Sequence, residues 1–115
     1  MSEEALQACV ERHLAHAALV VVLDDELGTR HGLSWADFVI LPMLEAAGGG
    51  VPRTELARTL RTPASRLIQQ LLPLENIGLV ERSADGGGAR VIRLRPPGRR
   101  RLHEARETAA VACTP

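Results

Sequence analysis

Tyrosine and lysine are missing from this chain, and phenylalanine and tryptophan occur once each. A core without aromatics has to be assembled from Leu, Val, Ile and Ala. A surface that stacks single-stranded RNA bases on aromatic rings is excluded for the same reason. Two cysteines, Cys9 and Cys113, lie about a hundred positions apart and make no disulfide framework. Long hydrophobic runs are lacking as well. The longest, Ala17 to Leu23, has seven residues, where roughly 20 are needed to span a bilayer. The N-terminus opens with Ser2-Glu3-Glu4 instead of a basic segment, so no secretory leader is expected and the cytoplasm is the simplest location. No glycine-rich phosphate loop, nucleophile elbow, paired catalytic carboxylates or zinc-spaced cysteines occur. An enzyme is not expected, and no cofactor is implied. His13 and His16 stand three apart on one helix face, but His31 and His103 are elsewhere. Two imidazoles without a third ligand are ordinary surface or interface residues.

What is present is enough for one domain with a single hydrophobic core, since the chain has 115 residues of which 45% are hydrophobic. All fourteen cations are Arg, and the formal net charge of zero conceals a segregation. Residues 1–51 carry two Arg and eight acids, whereas residues 52–101 carry eleven Arg and four acids. One part is suited to a polyanion and the other to a different task. Arginine is also the better cation for bidentate contacts to phosphate or guanine.

The segment Thr54–Leu60 followed by Thr62–Val80 reads as two short helices joined by a tight turn. Leu56, Ala57 and Leu60 share one side of the first, and Leu67, Leu71 and Leu74 share one side of the second. Ser65, Arg66 and Gln69 are left on another face, pointing outward, while Gln70 faces the domain. This is the layout of a helix-turn-helix. Pro63 stands at the start of the second helix, where its missing N–H costs nothing. Pro73 lies in the helix interior, so a local distortion is expected near Gln69–Pro73. Gly78 ends the helix.

Upstream, residues 3 to about 30 form one long helix, with apolar residues recurring at Leu6, Val10, Leu14, Ala17, Val21, Leu23 and Leu27. Around Ala17–Leu23 it is apolar on every side, and a second copy of the chain is the simplest partner for what its own core cannot cover. Asp24-Asp25-Glu26 is expected to be solvated, and His31-Gly32 ends the helix. Ser34, with Asp37 three residues on, caps the next helix, which bears Trp35, Phe38, Val39, Leu41 and Leu44 and is bent at Pro42. Downstream, Leu79–Arg82 and Arg90–Leu94 are two strands around a tip at Asp85-Gly86-Gly87-Gly88. Pro96-Pro97-Gly98 separates them from a last helix, Arg99 to about Ala112. The fold class is mainly α with a small β-hairpin wing, a winged helix-turn-helix with flanking helices.

With these residues placed, the sequence resembles the MarR family of winged-helix transcriptional regulators, from about Leu23 to Arg106. The markers are Gly32-Leu33-Ser34, Thr54-Glu55-Leu56-Ala57, the run Leu74-Glu75-Asn76-Ile77-Gly78-Leu79-Val80-Glu81-Arg82 into the wing, and Leu94 with Gly98-Arg99. The resemblance implies a homodimer on a pseudo-palindromic duplex, with dimerisation helices at 1–31 and 97–115 and a DNA-binding lobe at 34–95. It also implies repression relieved by a small ligand or an oxidant. Family wings carry an arginine-bearing tip that reaches the minor groove; here Asp85 is followed by three glycines and Ala89, leaving Arg90 on the strand. Relatives generally carry a further long C-terminal helix. Its lack here is expected to shift dimerisation onto the first helix and the segment after Arg99.

Carried over position by position, the DNA-binding set is Arg53, Arg61, Thr62, Pro63, Ala64, Ser65, Arg66, Gln69 and Arg90. Arg66 and Gln69 suit guanine and adenine edges, while Ser65, Arg53 and Arg61 suit phosphates. A small-molecule effector is expected near Trp35 and the first helix. Cys9 and Cys113 are redox candidates by likeness to a peroxide-sensing branch of the family, although that branch has tyrosines around its cysteine. The plainer alternative makes Cys9 a small buried hydrophobe and Cys113 part of a frayed tail. The rival function is a winged-helix protein-interaction module that has lost DNA binding, favoured by the bare glycine tip.

Overall fold

The structure, a computed structural model, describes residues 2–84, 87, 88 and 90–115. Asp85 and Gly86 of the expected hairpin tip, and Ala89 beyond it, lie outside the described residues.

The chain opens with α1 (Glu3–His31), and both of its ends have local causes. The Ser2 hydroxyl accepts the Ala5 N–H at 3.1 Å, and Glu3 and Glu4 occupy the first turn, where the helix dipole favours acids. Gly32, at φ 67°, supplies the left-handed residue that ends the helix and donates its N–H to the Gly28 carbonyl. Residues Met1–Trp35 and Ala105–Pro115 form one compact unit. Its buried side chains are Leu23, Leu27, Leu33, Ala105 and Ala109, and His31 Nε2 meets Thr108 Oγ1 at 2.8 Å. Asp24 is not merely solvated as expected. Its Oδ1 accepts the Trp35 N–H at 2.8 Å, which caps the start of α2 (Trp35–Ala47) from eleven residues upstream.

By length and composition α1 passes as a membrane span, with a mean hydropathy of 1.3 over its most apolar window. The charges argue otherwise. Glu11 and Arg12 on one side and Asp24-Asp25-Glu26 on the other leave an uncharged stretch of only His13–Leu23, about half of what a bilayer core requires. The apolarity is concentrated instead in exposed residues, Leu6, Val10, Leu14, Val21 and Val22.

The second unit is Ala36–Glu104. It contains the body of α2, then β1 (Val51–Pro52), α3 (Arg53–Leu60), α4 (Ala64–Asn76), β2 (Val80–Ala84), β3 (Arg90–Leu94) and the first half of α5 (Pro96–Cys113). Its core is aliphatic, as the lack of aromatics requires: Ile40, Leu41, Leu44, Leu56, Leu67, Leu71, Leu74, Leu79, Val91, Ile92 and Leu102 are buried, with Phe38 as the one ring.

The sheet has three antiparallel strands in the order β1-β3-β2, where sequence reasoning gives two. Val51 pairs with Ile92 and Pro52 with Val91, while Val80–Ala84 runs against Arg90–Leu94. Proline is admissible in β1 because this strand is an edge, where a missing N–H leaves no ladder bond unmade.

The last helix also differs from expectation. Pro96-Pro97-Gly98 is not a spacer; it is the first turn of α5. The first N–H groups of a helix have no intrahelical acceptor, so two prolines are tolerated there. At the other end α5 continues to Cys113. Pro63 is the N-cap of α4, at φ −62° and ψ 146°, one position before the helix proper. α4 runs through Pro73 to Asn76, and Gly78 at φ 80° follows its end.

Candidate nucleic-acid interface

The leucine spacing of α4 determines what that helix shows. Leu67, Leu71 and Leu74 are buried in the second unit. Ser65, Arg66 and Gln69, turned away from that stripe by the helical rotation of about 100° per residue, are exposed. Gln70 is half-buried, in keeping with a position at the edge of the packed side. Between Ala64 and Leu74 the helix carries Arg66 and no acid. Its first carboxylate, Glu75, is engaged by the Arg82 guanidinium. The outward face therefore combines one fixed positive charge, one carboxamide able to donate and accept, and one hydroxyl. That donor set suits base edges and phosphates.

The turn before α4 adds cations. Arg61 closes α3 in the left-handed region, at φ 54° and ψ 44°, and is the one described non-glycine residue with positive φ. It donates its N–H to the Arg58 carbonyl at 3.2 Å, and Thr62 donates to the Ala57 carbonyl at 3.0 Å. The turn is thus fixed by backbone bonds, and the Arg61 and Arg58 side chains are exposed on it. Arg61→Gly is expected to raise the thermal midpoint, because glycine adopts this conformation without the roughly 1 kcal/mol that a Cβ costs there. A lowered midpoint would show that the arginine side chain contributes packing that outweighs the strain.

The remaining members of the expected set are distributed as follows. Pro63 and Ala64 are exposed, and Thr62 is half-buried. Arg53 opens α3, half-buried, with its Nε shielded from solvent and unbonded among the described residues. Arg90 is exposed at the start of β3, paired in register with Ala84. Trp35 is half-buried at the head of α2.

Cys9 is exposed, which overturns the reading of it as a buried hydrophobe; it accepts a bond from Arg12 Nη2 at 3.0 Å. Cys113 is exposed as well, and it is the last residue of α5 instead of part of a frayed tail. Among the described residues, no group of three or more His, Cys, Asp or Glu is placed to hold a metal ion.

No family profile matches the chain, and no curated protein sequence matches it. Solved structures do. The chain is similar to AbsC, a MarR family transcriptional regulator from Streptomyces coelicolor, with 21% identity over 97% of this chain and 77% of that one and a TM-score of 0.85. It is similar to the transcriptional regulator BldR from Sulfolobus solfataricus, with 25% identity, coverage of 96% and 81%, and a TM-score of 0.86. The transcriptional repressor CouR, solved on a 23-mer DNA duplex, gives 27% identity, coverage of 97% and 80%, and a TM-score of 0.75. Matched over nearly its whole length at these TM-scores, the chain has the winged-helix fold of MarR-type transcriptional regulators.

Proposed function

We propose that the chain is a cytoplasmic, homodimeric transcriptional regulator that reads pseudo-palindromic duplex DNA with α4 and represses until a small ligand binds. The observation that carries this reading is the outward face of α4. Arg66, Gln69 and Ser65 are presented together by leucines buried behind them, with no acid beside them on the helix. Ser65, Arg53 and Arg61 are assigned to backbone phosphates, which set register, and Arg66 and Gln69 to base edges, which set sequence; Thr62 and Arg90 complete the DNA-binding set. Pro63 and Ala64 complete the leading end of the reading helix. Trp35 is assigned to the neighbourhood of the effector.

Selection of bound duplexes from a random pool tests the whole proposal. A two-fold-symmetric motif is expected. Absence of enrichment would leave a winged helix that contacts protein instead. A salt titration gives the same answer by a different route, because DNA binding must fall steeply as added salt reduces the gain from releasing counterions.

Dimerisation is assigned to the exposed apolar side chains of α1 and the end of α5. Leu14 is 61% exposed, Val21 70% and Val111 67%, a concentration of apolar surface that a monomer seldom leaves open to water. Leu14→Glu combined with Val21→Glu is expected to convert a dimer to a monomer by sedimentation equilibrium. A dimer that survives both charges would move the interface elsewhere.

A further inference from the structure

A second cationic feature lies away from α4. A hollow of about 100 Å³ is lined by Leu44, Gly48, Gly49, Arg93, Leu94 and Arg99, all within the second unit. We propose that this hollow binds a small oxyanion, a free phosphate or carboxylate group, between the guanidinium groups of Arg93 and Arg99. The proposal is separate from the DNA-reading face, since no residue of α3 or α4 lines the hollow.

Four observations carry it. First, the two arginines come from different elements, β3 and α5, and both line one hollow. Like charges facing one small space repel unless an anion lies between them. Second, Arg93 has no carboxylate within ion-pair reach among the described residues. Glu81, its partner in the β2–β3 register, lies 4.0 Å from Arg95 instead. Third, the nearest acid to Arg99 is already engaged. Glu45 Oε2 is 2.7 Å from His103 Nε2 and 3.8 Å from Arg99 Nε, so a bidentate contact to Arg99 has to compete only with this long ion pair.

Fourth, the loop beside Arg93 is made of glycine, of which Gly48 and Gly49 line the hollow. A Cβ on Gly50 would come within 3.3 Å of Arg93 Cζ and 2.9 Å of Val91 Cγ2. One on Gly49 would lie 3.9 Å from Arg93 Nη1. The loop therefore follows the guanidinium closely while leaving the space beside it empty of side chains. Leu44 and Leu94 supply an apolar floor, which strengthens a charge contact relative to open water.

The test uses the full chain and inorganic phosphate, titrated at constant ionic strength against sodium chloride and followed by backbone amide shifts. Saturable shifts at Gly48 and Gly49 are expected, with a dissociation constant of about a millimolar for a half-open site. Arg93→Ala and Arg99→Ala should each weaken binding about tenfold. Gly49→Ala keeps both charges and a permitted backbone, and should weaken binding by filling the space beside Arg93. Arg66→Ala should leave it unchanged.

Acetate in a parallel titration distinguishes the source: tighter acetate points to a carboxylate ligand, tighter phosphate to a phosphorylated one. Shifts that do not saturate, that chloride reproduces, or that Arg93→Ala and Arg99→Ala leave intact would overturn the proposal. So would shifts confined to α4, because the ion would then be sampling the DNA face.

Discussion

Gly98→Ala is expected to destabilise the winged-helix unit by about 3 kcal/mol, read as a lower urea midpoint with an unchanged slope. Helix propensity alone points the other way. Gly98 lies in the first turn of α5, where exchanging glycine for alanine would ordinarily gain up to about 1 kcal/mol. Packing decides against it. A Cβ at this position would sit 2.1 Å from the Leu79 carbonyl oxygen, 3.0 Å from the Leu79 carbonyl carbon and 2.7 Å from Leu94 Cδ1. Backbone cannot rotate out of the way as a side-chain tip can. The same Leu79 oxygen also accepts the Arg95 N–H at 2.9 Å, so moving Leu79 to relieve the clash would lengthen that bond. Gly98 is not among the glycines with positive φ; the requirement is for space, not for conformational freedom. A Gly98→Ala variant with an unchanged or raised midpoint would mean that α5 does not start against the Leu79 backbone in solution.

This residue also shows what the sequence could and could not disclose. Leu94 with Gly98-Arg99 serves as a family marker without any physical reason for its glycine. The reason lies in the Leu79 carbonyl, far back along the chain, which no local pattern reports. Periodic features behave differently. The leucines of α4 encode burial within a single element, so its faces follow from spacing alone. β1 is the opposite case. Val51–Pro52 is two residues long and is a strand only because β3 offers it a partner, at Val91 and Ile92. The Asp24 cap on Trp35 spans a helix end and a turn, and a run of three acids gives no sign of which one turns inward. In the candidate interface, exposure of Arg66 and Gln69 was legible from the leucine stripe behind them. The left-handed Arg61 was not, because the sequence offers no glycine at that turn to announce it.

Arg66→Ala is expected to cost about 1–3 kcal/mol at a selected site, roughly tenfold to a hundredfold in affinity, with relaxed preference at one base position. The exposed side chain on α4 has no carboxylate partner among the described residues, so its removal should leave the unfolding midpoint nearly unchanged. That separates loss of recognition from loss of fold. Arg61→Ala supplies the contrast. A phosphate contact carries no sequence information, so selected and scrambled duplexes should weaken alike, and the slope of log affinity against log salt should become shallower by about one ion. Measured side by side at two salt concentrations, the two variants distinguish reading from anchoring on the same scaffold. If Arg66→Ala instead weakened every duplex equally, the arginine would be another phosphate anchor, and sequence discrimination would fall to Gln69. If it changed nothing, the solvent-facing side of α4 would not be the surface that meets DNA.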